Sequence, residues 1–387
     1  MSEVSSRSIA GLLVLALSSQ FAASTAPLIL PLLACAGLLF IATLPAAPAR
    51  AWDRLELAVA LWLGCWLLSA VAAIRPQHAF ALSVPALVFA LCFVLLHRDD
   101  SQRRLPLSLG LLCLLASAQA AAILGARLAG APPPDAIAGS GSSWLLVPND
   151  LVWMLCLWPV WWHLARCHGR PMVIASVPLL TVQAAAAIAL QSRLAVLVLA
   201  GLALCALRPA PSMPPGRRRA NFSPRIAVLA GAAVCAAVIL LLAFAKGGAS
   251  LEARWQLWGA AWRMWLAHPW LGVGPHGFGL EYRGFIEGTI VDPRPTAWPH
   301  QLALELLANT GLITFAAFLR VMYIAVLGTM GVTRADTPGM RSLRCALLAF
   351  AAVSLLEASS LRLWWWLVLA VLLATAYARH DKDSNNK

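Results

Sequence analysis

From Met172 to Leu207 the chain has one formally charged side chain, Arg193. A run this long exceeds the ~20 apolar residues that one helix needs to cross a bilayer, and a guanidinium buried in hydrocarbon costs about 3 kcal/mol or more. Either one long helix carries an arginine at mid-membrane, or two helices meet and the arginine sits at their turn. Both readings require a membrane. Apolar stretches of spanning length recur along the 387 residues, of which 61% are hydrophobic and 12% charged. Such a composition belongs to an all-α polytopic membrane protein. Residues 9–23 have Arg7 ahead of them and no small-residue cleavage signal, so a retained helix is expected there.

Hydropathy places twelve spans at residues 8–23, 27–44, 55–74, 79–97, 105–125, 146–165, 171–190, 194–208, 226–246, 300–328, 341–357 and 361–379. With the N-terminus cytoplasmic, nineteen Lys/Arg fall on that side and nine on the other, and Arg320 falls inside a span. That asymmetry is the positive-inside pattern. It holds only if the 172–207 run crosses twice. A single crossing would invert every later loop and place Gly216–Arg219 outside. Arg193 is therefore expected at the non-cytoplasmic end of a tight hairpin turning at residues 190–194, with both termini cytoplasmic.

The net charge of +13 is scattered over short loops, so it reflects topology and not nucleic-acid binding. The nine cysteines lie nearly all in apolar segments without paired spacing, and read as core residues rather than a disulfide or metal set. The chain thus divides into residues 1–246 with helices 1–9, an external loop over 247–299, and residues 300–387 with helices 10–12 and a tail.

An external loop of that length exceeds what a connection needs, and such loops carry function. Its first part, "LEARWQLWGAAWRMWLAHPW", has helical periodicity. Trp255, Trp258, Trp262 and Trp265 form a stripe about 80° wide, with Arg254 at its edge and Glu252 and Arg263 pointing away. A tryptophan face suits either the headgroup region or packing on the bundle. Pro269 is expected to end the helix. Gly272, Gly274 and Gly277 around Pro275 then make a turn-rich segment able to bring backbone close to a ligand. "TAWPHQLALELLANTGL" opens the tenth span, with Pro299 in its first turn and His300 following. By topology Arg193, Arg254 and His300 share one face of the membrane.

These motifs resemble those of the O-antigen ligase/polymerase superfamily of bacterial inner-membrane glycosyltransferases. The likeness rests on Arg254 leading a helix into "HPWLGVGPHGF" (268–278), then on "PHQLALELLANTG" (299–311), and upstream on "QSR" (191–193) and "VPND" (147–150). It covers residues 140–325. Gln301 stands where the family has Asn, Asn309 where it has Glu, and Thr314 near a usual Gly; His300 is kept. The resemblance implies a GT-C-like architecture of about twelve helices with one large periplasmic loop. It also implies transfer of a glycan from undecaprenyl pyrophosphate, most like the ligase branch, whose acceptor is lipid A–core. Polymerases use a second carrier-linked repeat unit instead, and O-oligosaccharyltransferases a protein hydroxyl. From another class, a polytopic lipid or solute transporter is the rival; such folds show internal repeats and broken mid-span helices, and no sequence repeat is found here.

For such a transfer the resemblance sets Arg193 against the pyrophosphate. The external acids Asp135, Glu252, Glu281, Glu287 and Asp292 form no metal-binding DxD pair, so no cofactor or metal is expected. Arginine forks bind phosphate oxygens bidentately and stay charged, which assigns Arg193 and Arg254, and more weakly Arg283, to the diphosphate. His300 is the candidate base, because an imidazole accepts protons near neutral pH. Its alternative role is a neutral hydrogen-bond donor. His276 is a second-choice base, and His268 is expected to be structural. Gln301, Asn149, Gly272 and Gly274 are candidate supporting residues. The partners expected are the carrier-linked glycan, lipid A–core and membrane lipids.

Overall fold

The computed structural model describes residues 52–98, parts of 117–130, 155–189, 198–199, 249–292, 296, 298–330, 338–356 and 363–378. The expected spans 8–23, 27–44 and 226–246, most of 105–125 and 194–208, the 190–194 turn, Arg193 and Asn149 lie outside the described residues. All regular structure among the described residues is helical. Two compact units divide the chain, one within Met1–Ser108, Ala249–Arg334 and Ser354–Lys387, the other within Leu109–Gly248 and Ala335–Val353.

In the first unit, α1 (Arg54–Val71) starts from a capping box. The Asp53 carboxylate accepts from the amides of Leu55 and Glu56 at 2.8 and 2.9 Å, and Glu56 reaches back to the Asp53 amide at 3.1 Å. These bonds satisfy amides that a helix start would otherwise leave orphaned. Leu55, Ala58, Val59, Trp62, Trp66 and Ala70 form the buried stripe, while Leu57, Leu61, Leu68 and Val71 are exposed. A helix apolar on every side suits hydrocarbon. α1 and residues Leu302–Val326 are each long and apolar enough to cross a bilayer.

The expected span 79–97 is interrupted. A short α2 (Pro76–Ala81) and α3 (Val84–Arg98) meet at Ser83, whose hydroxyl donates to Ala79 O and accepts from the Trp66 indole. α10 (Leu363–Ala378) packs on α3. Trp62 is the hub of that core, with Trp66, Phe89 and Trp366 rings at 5.4, 5.4 and 5.3 Å.

In the second unit, α4 (Trp158–His168) and α5 (Arg170–Ala189) form a hairpin about Gly169, and α9 (Pro338–Leu356) lies mostly here. The Trp158 indole donates to Gln183 and the Trp161 indole to Ser176, and Gln183 in turn donates to Ser117. Polar side chains in an apolar helical unit thereby satisfy one another.

The element that positions the site is α8 (Leu302–Met330), which is broken at Gly311 (φ 72°, ψ −179°). A continuous helix would pair the Leu312 amide with Ala308 O and the Ile313 amide with Asn309 O. Instead the loop after α6 (Ala249–Ala267) enters the gap. The amides of Val273 and Gly274 take Ala308 O and Asn309 O at 3.0 and 2.8 Å, while those of Leu312 and Ile313 turn to Pro269 O and Trp270 O at 2.9 and 3.3 Å. A β-carbon at Gly311 would stand 2.2 Å from Trp270 O.

Gly311→Ala is expected to cost about 3 kcal/mol or more, combining a left-handed backbone with a backbone clash. Gly64→Ala, mid-α1 with open space around it, should be neutral or stabilising by up to about 1 kcal/mol. Thermal unfolding of the purified variants in detergent separates the two.

Candidate active site

α6 presents two faces. Ala260, Ala261 and Met264 are buried in a cluster with Val273, Phe278, Tyr282 and Ala308, so small side chains, not the tryptophans, make the tight contact. The tryptophan stripe is split in function. Trp255 and Trp262 are exposed, whereas the Trp258 and Trp265 indoles donate to Pro299 O and Pro269 O at 2.9 and 3.1 Å. Arg254 is half-buried, one helical turn before Trp258. Arg263, expected to point away from the tryptophan stripe, reaches the loop that follows α7 (Phe278–Glu281). Its guanidinium donates to Phe285 O at 2.7 Å and pairs with Glu287 at 3.2 Å, clasping the 3-10 helix Tyr282–Phe285.

The glycines of the turn-rich segment are buried and make close approaches, but to protein. A β-carbon at Gly272 would meet the Asn309 carbonyl carbon at 2.4 Å, and one at Gly274 the Ala73 β-carbon at 2.2 Å. Gly272 and Gly274 are thus accounted for by insertion into α8 and docking on α1. Ser69 of α1 donates to Leu271 O at 2.6 Å, and the Ile74 amide donates to Val273 O at 3.1 Å. The segment therefore sits at the C-terminal end of α1. Asp53, Glu56 and His97, the one group among the described residues with metal-ligand chemistry at short range, lies at the opposite end, roughly 27 Å away along 18 helical residues. Its carboxylates cap α1, and His97 Nε2 contacts Asp53.

Helix α8 begins at Leu302, so Pro299 and His300 stand outside its first turn, contrary to the expected helix start. Gln301 is the cap: its carbonyl accepts from the Glu305 amide at 2.9 Å and its side-chain oxygen from the Leu304 amide at 2.5 Å. His300 and His276 have φ of 58° and 56°, the only positive values at non-glycine positions among the described residues. Backbone held in that region marks strain that the surroundings must stabilise. The His300 ring is half-buried, and its Nδ1 accepts from the Trp298 indole at 3.2 Å.

His276 is 3% exposed, stacks edge-on against Trp66 at 5.8 Å, and neither ring nitrogen has a hydrogen-bond partner among the described residues. Burial, helped by the neighbouring His78, pushes its pKa down to about 3. Such a ring is sealed from any substrate and acts as an apolar wedge. Arg283 is exposed, with its Nε donating to the Tyr282 hydroxyl at 3.3 Å. Periodicity did not single out Glu305, fully buried in α8's first turn, and Asn309, noted only as a departure from the resembled family, accepts from the Phe278 amide at 2.7 Å through its side-chain oxygen. The readable signal for Glu305 was a carboxylate on the buried i, i+3, i+4 face that includes Leu302, Leu306 and Asn309.

Residues 137–319 match the family model described as O-antigen ligase. That stretch contains Arg193, Arg254, Arg283 and His300. Comparison with curated proteins returned no match.

Because the folded chain refuses a proton that the unfolded His276 ring accepts near pH 6.5, stability present above that pH is lost as pH falls toward 3. The loss at pH 5 is about 2 kcal/mol. Unfolding temperatures measured from pH 7.5 to 5 should fall less steeply for His276→Leu than for the natural chain.

Proposed function

We propose that this chain, whose residues 137–319 match the O-antigen ligase family model, transfers a glycan from undecaprenyl pyrophosphate to a hydroxyl of lipid A–core. The transfer takes place at the periplasmic face of the bacterial inner membrane. The observation that carries this reading is the bond from the Trp258 indole to Pro299 O. It joins the helix turn after Arg254 to the residue before His300, so the candidate phosphate-binding cation and the candidate reaction-centre ring are held on one rigid scaffold.

Departure of a diphosphate develops charge that must be stabilised. Arg254 meets it from α6 and Arg283 from the loop rim, and the sequence resemblance adds Arg193 as a further candidate cation. Guanidinium forks do here what a divalent ion does in other glycosyltransferases, without proton loss at any working pH. His300 meets the reacting groups beside them. Direct displacement inverts the anomeric carbon. In this reading residues 1–246 supply nine helices, 247–299 the periplasmic loop and 300–387 three more helices, with both termini cytoplasmic.

Reconstitution in liposomes with defined donor and acceptor lipids in EDTA tests the proposal. Glycan should move to lipid A–core without added Mg²⁺ or Mn²⁺. Arg254→Ala and Arg193→Ala should each lower kcat by about 10²–10³, as loss of one preorganised charge stabiliser does. A requirement for added metal contradicts the arginine clamp. Transfer only to a second carrier-linked repeat, or only to protein, would reassign the acceptor, and solute flux without transfer would make the chain a transporter.

A further inference from the structure

An indole N–H is a donor only, so the ring nitrogen that receives it must offer a lone pair. In His300 that nitrogen is Nδ1. The single proton of the neutral ring therefore resides on Nε2, an assignment that follows from donor–acceptor chemistry. A base working through Nε2 needs the opposite tautomer, in which an Nδ1–H would face the indole N–H head-on. A base working through Nδ1 must first displace Trp298.

We propose that Trp298 is a positioning residue that fixes the tautomer of His300, so that the ring meets the departing diphosphate as an Nε2–H donor and does not serve as the base. This rests on the glycosyl-transfer reading. The segment is built to hold that arrangement. The left-handed backbone at His300 brings its ring back beside Trp298, centroids 5.7 Å apart at 65°. The carbonyl of Trp298 accepts from the Thr296 hydroxyl at 3.0 Å, that of Pro299 from the Trp258 indole at 2.9 Å, and Gln301 is locked into the start of α8. A donor fixed before reaction stabilises developing charge without reorganising.

In the transfer the acceptor oxygen's lone pair forms the new bond to the anomeric carbon. The bond from that carbon to the diphosphate oxygen breaks with its electron pair staying on the diphosphate. The acceptor's proton passes to water at the membrane surface, and the His300 proton stays on the ring.

The full chain in lipid nanodiscs, labelled with ¹⁵N-histidine, provides the test. The His300 signals are identified by their loss in His300→Gln. In the neutral ring, Nε2 should carry the proton and Nδ1 should not, and Trp298→Phe should yield a mixture of tautomers. A natural chain with the proton on Nδ1 overturns the proposal.

Kinetics give a second reading. The His300→Gln amide still offers an N–H, so this variant should remain within about tenfold of the natural chain while His300→Ala falls by about 10²–10³. Equal collapse of both would restore the base. Trp298→Phe should lower kcat about fivefold with KM unchanged, and should add nothing in the His300→Gln background, because an amide has no tautomer to fix. The same loss in both backgrounds would reduce Trp298 to a packing residue. Absence of transfer by the natural chain defeats the functional reading separately, since the ring state comes from the spectrum alone.

Discussion

A helix broken inside an apolar region leaves backbone amides and carbonyls with nothing to bond, and each such group costs several kcal/mol where water is excluded. The chain resolves this by exchange at Gly311. Two loop amides replace the two that α8 withdraws, and two loop carbonyls receive the ones withdrawn. Everything at the candidate site hangs on that exchange. It fixes the end of α6 against the middle of α8, sets the length of chain available between them, and thereby constrains how residues 278–292 fold over α6. The three glycines that permit it are spaced by this geometry: Gly311 for the break, Gly272 for passage over the Asn309 carbonyl, Gly274 for contact with Ala73.

Legibility from sequence followed the range of the forces involved. The edges of α1, α5, α8, α9 and α10 fall within a few residues of the hydropathy boundaries, because apolar length is a local property. Pro269 ended α6 as expected for the same reason. The insertion into α8 was not legible, since Gly311 inside a helical pattern is compatible with an unbroken helix until a partner backbone arrives from forty residues upstream. The partners of Arg263 were not legible either, because a long side chain chooses its partner by reach, and Phe285 O and Glu287 were within it. Periodicity also could not tell which tryptophans stay exposed and which donate an N–H to a carbonyl.

The two departures from the family pattern at the start of α8 become intelligible as backbone chemistry. Gln301 occupies a cap, where the requirement is a side-chain oxygen that reaches an amide two or three residues on, and a glutamine carbonyl meets it. Asn309 uses its side-chain oxygen on the Phe278 amide, tying α7 to the broken helix. Both positions are occupied by groups that serve the scaffold, which leaves the chemistry to residues that project beyond it.

The two left-handed histidines sharpen that distinction. His276 and His300 share an unusual backbone state, so strain alone does not identify a reacting group. Their surroundings differ in kind. His276 is enclosed by Trp66 and denied every hydrogen bond among the described residues, which makes a charged ring there so costly that the imidazole behaves as a flat hydrocarbon with two silent nitrogens. His300 is half-buried, receives a directed N–H on one nitrogen, and stands at the junction of α6 and α8. On paper both are imidazoles able to accept a proton. Desolvation assigns the first to packing, and an oriented hydrogen bond fixes which nitrogen of the second is engaged by the protein.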